Sequence, residues 1–461
     1  MAHPIASPRT PQHAALYRTI WRWHFYAGLF VIPFILLLSV TGAAYLFKPQ
    51  VERWEERPFY TPRIERVVLP STQVEAALAS VPSARFVSYR LPERSGDAAM
   101  VQVALPEKGL PARQMTRDIF VSPDGKVLGS LDPERRIMAT LKAIHGQLLL
   151  GTRGSWLVEL AASWALVLIL SGLYLWWPRD RRLAGLLWPR LRKGRRLFWR
   201  DLHAVTGFWI AGLAIILLMT GLPWAGIWGS AFKAARTELG WVNGTSDWTI
   251  GGEAPQRDAH ADHHPLALPL HQADLTGLDV MLIKAQAEPL AFPVLITPPG
   301  APGPFGQPGA SAWTIRSDTQ NRPLRTTIRF DPTTHHEISR NSFADGHIID
   351  RVVGYGIAWH EGQLFGWVNQ FIGVLTALGL VLMAASGFIL WRRRKPVDVL
   401  GAPPSTRLPA RMGGVAAILL LLAALLPLLA LSLLMLWLVE RLVLPRMPGL
   451  ARWLGVVKGH A

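Results

Sequence analysis

Long uncharged runs alternate with polar stretches along this chain. Five of the runs hold about the 18 to 20 apolar residues that a helix needs to cross the hydrocarbon core of a bilayer. They predict membrane spans at residues 27–47, 155–177, 204–232, 367–391 and 412–440. Pro427 in the last run leaves two forms open there, a single tilted helix or a broken re-entrant pair. The pattern therefore predicts a membrane protein, mainly α, with five spans.

The two long segments between spans have another pattern, a helix followed by short alternating strands. Residues 48–154 contain VEAALASVPSARFVSYRLPE and then AAMVQVALP, and Asp124-Gly125 predicts a turn between two later strands. Residues 233–366 contain DVMLIKAQAEPLAFPVLITPP and TTIRFDPTTHHEISRNSF, together with a Pro/Gly-rich insertion, PPGAPGPFGQPGA. Each segment is predicted to be a small α+β module.

Two strings of landmark residues recur at fixed spacing. The first string has steps of 4, 17 and 18 residues and reads His24, Gly28, Thr41-Gly42 in one copy and His203, Gly207, Thr220-Gly221 in the other. The second string has steps of 6, 26, 27 and 31 residues and reads His145, Gly151, Ser171-Gly172, Trp176 and His360, Gly366, Ser386-Gly387, Trp391. The first four spans are therefore a four-helix core that arose by internal duplication, and the fifth is one extra C-terminal span.

Basic residues indicate which ends of the spans are cytoplasmic. They collect in the loop 178–203 and directly after the fourth span, at Arg392, Arg393, Arg394 and Lys395. By the positive-inside rule these regions are cytoplasmic. The prediction places the N-terminal tail 1–26, the loop 178–203 and the linker 392–411 inside, and the modules 48–154 and 233–366 outside. The basic tail 441–461 leaves the side of the carboxyl terminus open.

Composition narrows the possible chemistry. The formal net charge of +17 is explained by topology and by anionic lipid at the inner surface, so nucleic acid is not an expected partner. The chain has no cysteine, which excludes disulfides, thiolate metal sites, iron-sulfur clusters and covalently attached haem. The first apolar run has full length and follows a basic stretch, so it predicts a signal anchor that is retained.

Four histidines lie at matching depths of the predicted core. His24 and His203 start two outward-running spans, whereas His145 and His360 precede two inward-running spans. Two imidazoles from different helices at one depth suit the axial ligation of a non-covalent haem iron. The candidate metal-binding and cofactor-binding residues are therefore His24 with His203 and His145 with His360. A non-haem metal site is the alternative, which the lack of nearby Asp, Glu or Cys makes weaker.

Three further expectations accompany the haem hypothesis. Gly28 and Gly207, one turn after their histidines, would offer flat helix surface to a macrocycle. The basic residues close enough in sequence to pair with propionates are Arg22, Arg200, Lys142 and Arg153. A straight helix from His145 to Trp176 would be roughly 46 Å long, which places His145 at or above the outer headgroups.

Other candidate residues have simpler interpretations. His260, His263, His264 and His271 have spacing that suits a transition metal, but a solvated loop is the simpler reading, and the same holds for His335-His336. The 20 tryptophans are typical of aromatic belts at membrane interfaces. Trp164, Trp209 and Trp224 are interpreted as packing and anchoring residues, with electron relays as the alternative.

Several strings resemble the PepSY-associated transmembrane family over about residues 14–396: WHFYAGLFVIPFILLLSVTG, IHGQLLLG, WHEGQLFG, IFVSPDGKVLG and IRFDPTTHHEIS. The resemblance implies an inner-membrane protein of bacterial iron uptake, with PepSY-like periplasmic modules and two haem b groups held by histidines. His24, His145, His203 and His360 match the histidine motifs of the family. The Pro/Gly insertion and the fifth span depart from it, so the identity of the iron compound is not carried over.

Three functions are weighed on these grounds. The first is a di-haem electron-transfer protein that reduces a ferric siderophore or other ferric chelate in the periplasm. Its donor would be quinol or a cytoplasmic reductase, because no Gly-x-Gly-x-x-Gly motif follows a strand. Electrons would enter at the His24/His203 site and leave at the His145/His360 site. The alternatives are a non-redox iron or siderophore permease and a PepSY-based binding or sensor scaffold, for which no catalytic motif is present.

Overall fold

The computed structural model describes residues 11–61, 66–105, 115–177, 185–190, 194–241, 275–301, 310–403 and 412–456. Their α-helices are α1 (Pro11–Tyr45), α2 (Lys48–Glu56), α3 (Pro70–Ser80), α4 (Ile137–Gln147), α5 (Gly151–Trp176), α6 (Arg195–Gly221), α7 (Gly226–Glu238), α8 (Thr276–Ala287), α9 (Ile348–His360), α10 (Trp367–Arg394), α11 (Gly413–Leu425), α12 (Pro427–Leu438) and α13 (Pro448–Leu454). Their strands are β1 (Arg85–Arg90), β2 (Ala99–Leu105), β3 (Met115–Val121), β4 (Val127–Leu131), β5 (Val294–Thr297), β6 (Trp313–Ser317), β7 (Thr326–Phe330) and β8 (Glu337–Ser342).

The chain divides into two compact units. The helical unit contains Met1–Ala43, His145–Lys233 and Phe371–Ala461, and the sheet unit contains Ala44–Ile144 and Ala234–Gln370. Five helical segments are long and apolar enough to cross a membrane: Ala15–Tyr45, Gly151–Trp176, Arg195–Trp224, Trp367–Arg394 and Pro427–Arg446. The hydropathy pattern therefore predicted the spans of the duplicated core, although α1 begins well before residue 27.

The last apolar run, predicted as one span over 412–440, consists of two helices. They meet at Leu426, whose backbone has φ −125° and ψ 90°. The reason is local, because a proline disfavours helical backbone at the residue before it, and Pro427 follows. The bend lies beyond the end of α6, where the indole of Trp228 donates a hydrogen bond to the Leu425 carbonyl at 3.0 Å.

After this bend the chain returns to the opposite end of the helical unit. Trp164, in the middle of α5, donates to Ser432 of α12 at 3.2 Å. At the end of α13, the Gly455 carbonyl accepts a hydrogen bond from Arg22 at 2.7 Å. Arg22 also donates to Pro403, before the two helices, at 2.8 Å. The segments before α11 and after α13 thus lie at the same end of α1, so α11 and α12 form a hairpin in the helical unit.

In the sheet unit, all eight strands form one sheet in the order β4-β3-β2-β1-β5-β6-β7-β8, with antiparallel neighbours. The sequence predicted two modules, and the structure joins them where Tyr89 of β1 pairs with Ile296 of β5. The open edge of a four-stranded half satisfies its backbone groups by pairing with the other half. The two modules of the sequence are thus halves of one sheet.

Helices α3 and α8 pack together on one face of this sheet. The carboxylate of Asp279 in α8 accepts hydrogen bonds from the backbone N–H and the hydroxyl of Ser71 in α3, at 2.9 and 2.7 Å. Beneath them lies the main core of the unit, which includes Val74, Val101, Ile119, Leu278, Met281, Ile296 and Ile315. Each half of the sheet thus contributes one helix and four strands to a shared core.

Ion pairs fix the start of α4, the helix that carries His145. Arg136, directly before α4, binds Glu55 and Glu56 of α2 at 3.1 and 2.9 Å. The Glu55 carboxylate also accepts the backbone N–H of Ile137, at the first turn of α4, at 2.9 Å. Glu56 further binds Arg90 of β1 at 2.6 Å. These carboxylates raise the pKa of the Arg136 guanidinium despite its burial, so the pairs stay ionised and hold α2, β1 and α4 together.

Candidate functional site

His24 of α1 and His203 of α6 lie side by side in the helical unit. Their ring centroids are 6.5 Å apart and the ring planes are nearly perpendicular, at 87°. Both residues are half-buried. Two imidazoles that bind one metal ion from opposite sides have centroids roughly 6 Å apart, because each ligating nitrogen lies about 2 Å from the metal. We call His24 and His203 the inner pair, after the predicted topology. The spacing of the two rings fits two axial ligands of one metal ion.

Each ring of the inner pair also contacts a Ser-Gly dipeptide on a neighbouring span. His24 Nδ1 lies 2.8 Å from the hydroxyl of Ser171 in α5, and His203 Nδ1 lies 3.0 Å from the hydroxyl of Ser386 in α10. A Cβ added at the next residue, Gly172, would be 3.2 Å from His24 Cε1. A Cβ at Gly387 would likewise be 3.4 Å from His203 Cε1. Glycine at these positions lets the rings lie directly on the neighbouring helices.

His145 has the same surroundings at the other end of α1. Its Nδ1 lies 3.1 Å from the hydroxyl of Thr41, and a Cβ added at Gly42 would be 3.0 Å from its Cε1. The 17 residues from His24 to Thr41 correspond to about 25 Å along a helix axis. The helical unit therefore holds imidazoles at two levels of the same span.

The position of His145 corrects the expectation of one long helix above the membrane. His145 belongs to α4, which ends at Gln147, and α5 begins only at Gly151. Leu148 and Leu149 between them have positive φ angles of 51° and 58°, so the backbone turns sharply there. As a result the His145 ring is level with Thr41, inside the span α1, and not beyond its end.

His360 is the last residue of α9, in the sheet unit. The helix α10 starts afterwards, at Trp367, so His360 also precedes its span on a separate short helix. Thr220 is the repeat counterpart of Thr41, and its hydroxyl donates to the Ile216 carbonyl of its own helix at 2.7 Å. Both copies of the repeat therefore carry their second histidine, His145 or His360, on a short helix before the span.

Sequence reasoning missed the role of the Ser-Gly and Thr-Gly dipeptides. Their fixed spacing in the repeat was the signal that could have indicated this role. The glycines expected to offer flat surface face other helices instead. A Cβ at Gly28 would lie 3.7 Å from Leu168, and one at Gly207 would lie 2.9 Å from Met383. These two glycines thus serve helix packing, and the rings lie on Gly172, Gly387 and Gly42.

Two basic residues proposed for propionates are engaged with protein groups. Arg22 donates to Pro403 and Gly455, and Arg200 binds Asp201 at 2.9 Å. Asp201 is buried and also binds Arg190 at 2.6 Å, which fastens the start of α6 to the preceding loop. These arginines therefore have structural roles. Of the other two candidates, Lys142 is exposed on α4 and Arg153 is exposed at the start of α5.

The remaining histidine candidates fall into two groups. His335 and His336 lie in the turn between β7 and β8, where the Asp331 carboxylate accepts the backbone N–H groups of Thr333 and Thr334. These hydrogen bonds lower the pKa of the Asp331 carboxyl, so the turn is explained without a metal ion. His260, His263, His264 and His271 lie outside the described residues. Within the parts of the chain that the structure describes, no group of three or more His, Asp or Glu side chains could hold a metal ion.

The tryptophans interpreted as anchors have hydrogen-bond partners typical of packing. Trp209 is exposed on α6, and its indole donates to the Leu187 carbonyl at 3.0 Å. Trp164 donates to Ser432, as described above. A polar partner for the indole and an apolar surface for the ring suit residues at helix contacts and interfaces. The packing interpretation accounts for both side chains.

The fold and site define a multi-pass membrane protein in which His24, His203 and His145 pack against Ser-Gly and Thr-Gly dipeptides of the spans. The model of the PepSY-associated TM region matches residues 21–394. The chain therefore belongs to this family, as its sequence strings predicted. The match includes the four core spans and all four histidines, and it ends before the hairpin of α11 and α12. No curated protein is significantly similar to the chain.

Proposed function

We propose that this protein is a di-haem electron-transfer protein of the bacterial inner membrane that reduces a ferric chelate, such as a ferric siderophore, on the periplasmic side. One observation carries the proposal. His24 and His203, from different helices, hold their rings 6.5 Å apart, which suits two axial ligands on one iron. A bare metal ion normally takes three or four protein ligands, whereas a macrocycle leaves only the two axial positions to the protein.

His24 and His203 would hold the inner haem. His145 and His360 are proposed to hold the outer one, on the strength of the sequence repeat and of the Thr41-Gly42 contact of His145. Haem iron, when bound, supplies reversible one-electron transfer. The surrounding residues position the imidazoles and, in apolar spans, keep water away from them.

Imidazoles at two levels along α1, one on it and one in contact with it, support a conduit across the membrane. His24 lies near the predicted cytoplasmic end, and His145 meets Thr41 about 25 Å further along the helix axis. The reaction on the outer side is the gain of one electron by a ferric chelate, which becomes a ferrous chelate and releases its iron more readily. The electron comes from a donor at the cytoplasmic end, quinol or a cytoplasmic reductase.

Purified protein in lipid vesicles provides the test. Ascorbate is trapped inside, and a ferric chelate with a chromogenic chelator selective for Fe(II) is added outside. We expect the Fe(II) complex to form outside at a rate that falls to the level of protein-free vesicles in His24→Ala, because the inner site loses a ligand. Formation of Fe(II) at the same rate in His24→Ala would contradict the proposal. Accumulation of labelled iron inside vesicles that lack ascorbate would indicate the permease instead.

A further inference from the structure

We propose that the hydroxyl groups of Ser171, Ser386 and Thr41 fix the ring tautomer of His24, His203 and His145, so that each imidazole carries its proton on Nδ1 and presents an unprotonated Nε2 as the metal ligand. These hydroxyls are positioning groups and do not touch the iron. The nature of the metal rests on the function proposed above, whereas the tautomer is a property of this chain alone.

The direction of each hydrogen bond follows from the single proton on a hydroxyl. The Ser171 hydroxyl lies 2.7 Å from the Val167 carbonyl of its own helix, to which it donates. A carbonyl only accepts, so this contact uses the hydroxyl proton. The lone pairs of the Ser171 oxygen remain for the ring of His24, 2.8 Å away, and therefore His24 Nδ1 must be the donor. His24 then has a neutral ring with its free lone pair on Nε2.

The same arrangement recurs at the second ring of the inner pair. The Ser386 hydroxyl donates to the Leu382 carbonyl at 2.7 Å and accepts from His203 Nδ1 at 3.0 Å. Both rings of the inner pair thus present the same nitrogen for ligation.

Thr41 provides a third example at the outer level. Its hydroxyl donates to the Leu37 carbonyl at 2.8 Å and faces His145 Nδ1 at 3.1 Å. Ser and Thr therefore serve the same purpose in this chain, since both carry a hydroxyl that can turn back to a helix carbonyl one turn earlier. The glycine that follows each of them gives the ring space to approach the hydroxyl.

The chemical consequence concerns the strength of the ligand. A metal-binding histidine usually donates its other N–H to a carboxylate, carbonyl or water, and that partner fixes the ring and tunes its basicity. A hydroxyl oxygen is a weaker acceptor than a carboxylate. It therefore keeps the ligand a neutral imidazole with little imidazolate character, which favours the reduced state of an iron more than a carboxylate partner would.

One buried serine donates a hydrogen bond to a carbonyl of its own helix but has no histidine partner among the described residues. Ser163, on the same helix as Ser171, is buried and donates to the Glu159 carbonyl at 2.8 Å, and no ring among the described residues is bonded to it. Ser163→Ala is therefore the matched control for Ser171→Ala, because it removes the same group from the same helix. Ser171→Thr keeps the hydroxyl and corresponds to the natural Thr41.

The experiment measures the tautomer and the metal site separately. In haem-free protein, ¹⁵N NMR of labelled histidine reports which ring nitrogen of His24 is protonated, with the resonance assigned by its loss in His24→Ala. In loaded protein, haem dissociation and the reduction potential are measured. We expect Ser171→Ala to give a mixture of tautomers, to weaken haem retention by about 10- to 100-fold and to shift the potential. Ser171→Thr and Ser163→Ala should behave as the wild type.

An unchanged Nδ1–H tautomer with unchanged potential in Ser171→Ala would overturn the inference. Equal effects of Ser163→Ala would do the same, because the role of Ser171 would then be helix stability. If the Ser171 variant fails to fold, Ser386→Ala is read out in the same way at His203. A wild-type protein that binds no haem would contradict the proposed function, while the NMR result would still decide whether the hydroxyls fix the tautomer.

Discussion

Replacement of His24 by alanine is expected to lower the haem bound per polypeptide from about two groups to about one. The side chain supplies one of two rings whose centroids are 6.5 Å apart. Without it, His203 alone would provide only one of the two axial ligands. The substitution shortens one half-buried side chain of α1 and leaves His145 in place, so the outer site should keep its group. Haem extraction against protein concentration measures the ratio.

The control for this loss is His336→Ala. His336 is exposed in the turn between β7 and β8, so its removal changes the histidine content without touching a span. The ratio should stay at the wild-type value in this variant. An unchanged ratio in His24→Ala, or an equal fall in both variants, would contradict the assignment of His24 as a ligand.

Substitution of Gly42 by leucine is expected to remove haem from the outer site without changing a ligand. A Cβ at Gly42 would already lie 3.0 Å from His145 Cε1, so a larger side chain must displace the ring from its contact with Thr41. Loss of an orienting partner costs metal sites about 10- to 100-fold in affinity. The measurements are the fraction of haem retained after dilution and the contribution of each site to the Soret absorbance.

Gly212→Leu is the matched control for Gly42→Leu. Gly212 lies on the core span α6, and a Cβ built there meets no atom within 4 Å. The same substitution should therefore be tolerated, with both haems retained. Full haem occupancy of the outer site in Gly42→Leu would contradict the prediction, because haem binding would then not depend on the contact of the His145 ring with Gly42.

The spans of the core were predictable because long apolar runs have few other stable forms. The hairpin of α11 and α12 was only one of two alternatives, since hydropathy reports length and not direction. Pro427 indicated where a break would fall, but the return of the chain depends on contacts such as Tyr26 with Leu454, at 2.5 Å, between distant parts of the sequence. Such contacts leave no periodic signal.

The strands were predictable from their alternation, but their joining into one sheet was not. Tyr89 and Ile296 are neighbours in the sheet although more than 200 residues of sequence separate them. The alternation of apolar and polar residues in a module is the same whether its edge strand faces solvent, pairs with another chain or pairs with the other module. Pairing of the halves is therefore a tertiary feature that local propensity does not contain.

The histidine positions were predictable in depth and not in rotation about the helix axis. Equal spacing from the span ends gave His24 and His203 the same level, and the structure brings their rings together. The contacts with Ser171 and Ser386 depend on which face of α5 and α10 turns toward the rings. The straight helix from His145 to Trp176 was wrong because the break between α4 and α5 uses non-glycine residues with positive φ, which sequence patterns rarely indicate.

The most direct test of the central claim is low-temperature EPR of the oxidised, haem-loaded protein. Two axial imidazoles whose planes are nearly perpendicular, at 87°, give a highly anisotropic low-spin ferric signal. We predict that signal for the inner site, and we predict its loss in His24→Ala. A high-spin ferric signal alone in the wild type, or a highly anisotropic low-spin signal of unchanged intensity in His24→Ala, would contradict ligation by His24 and His203.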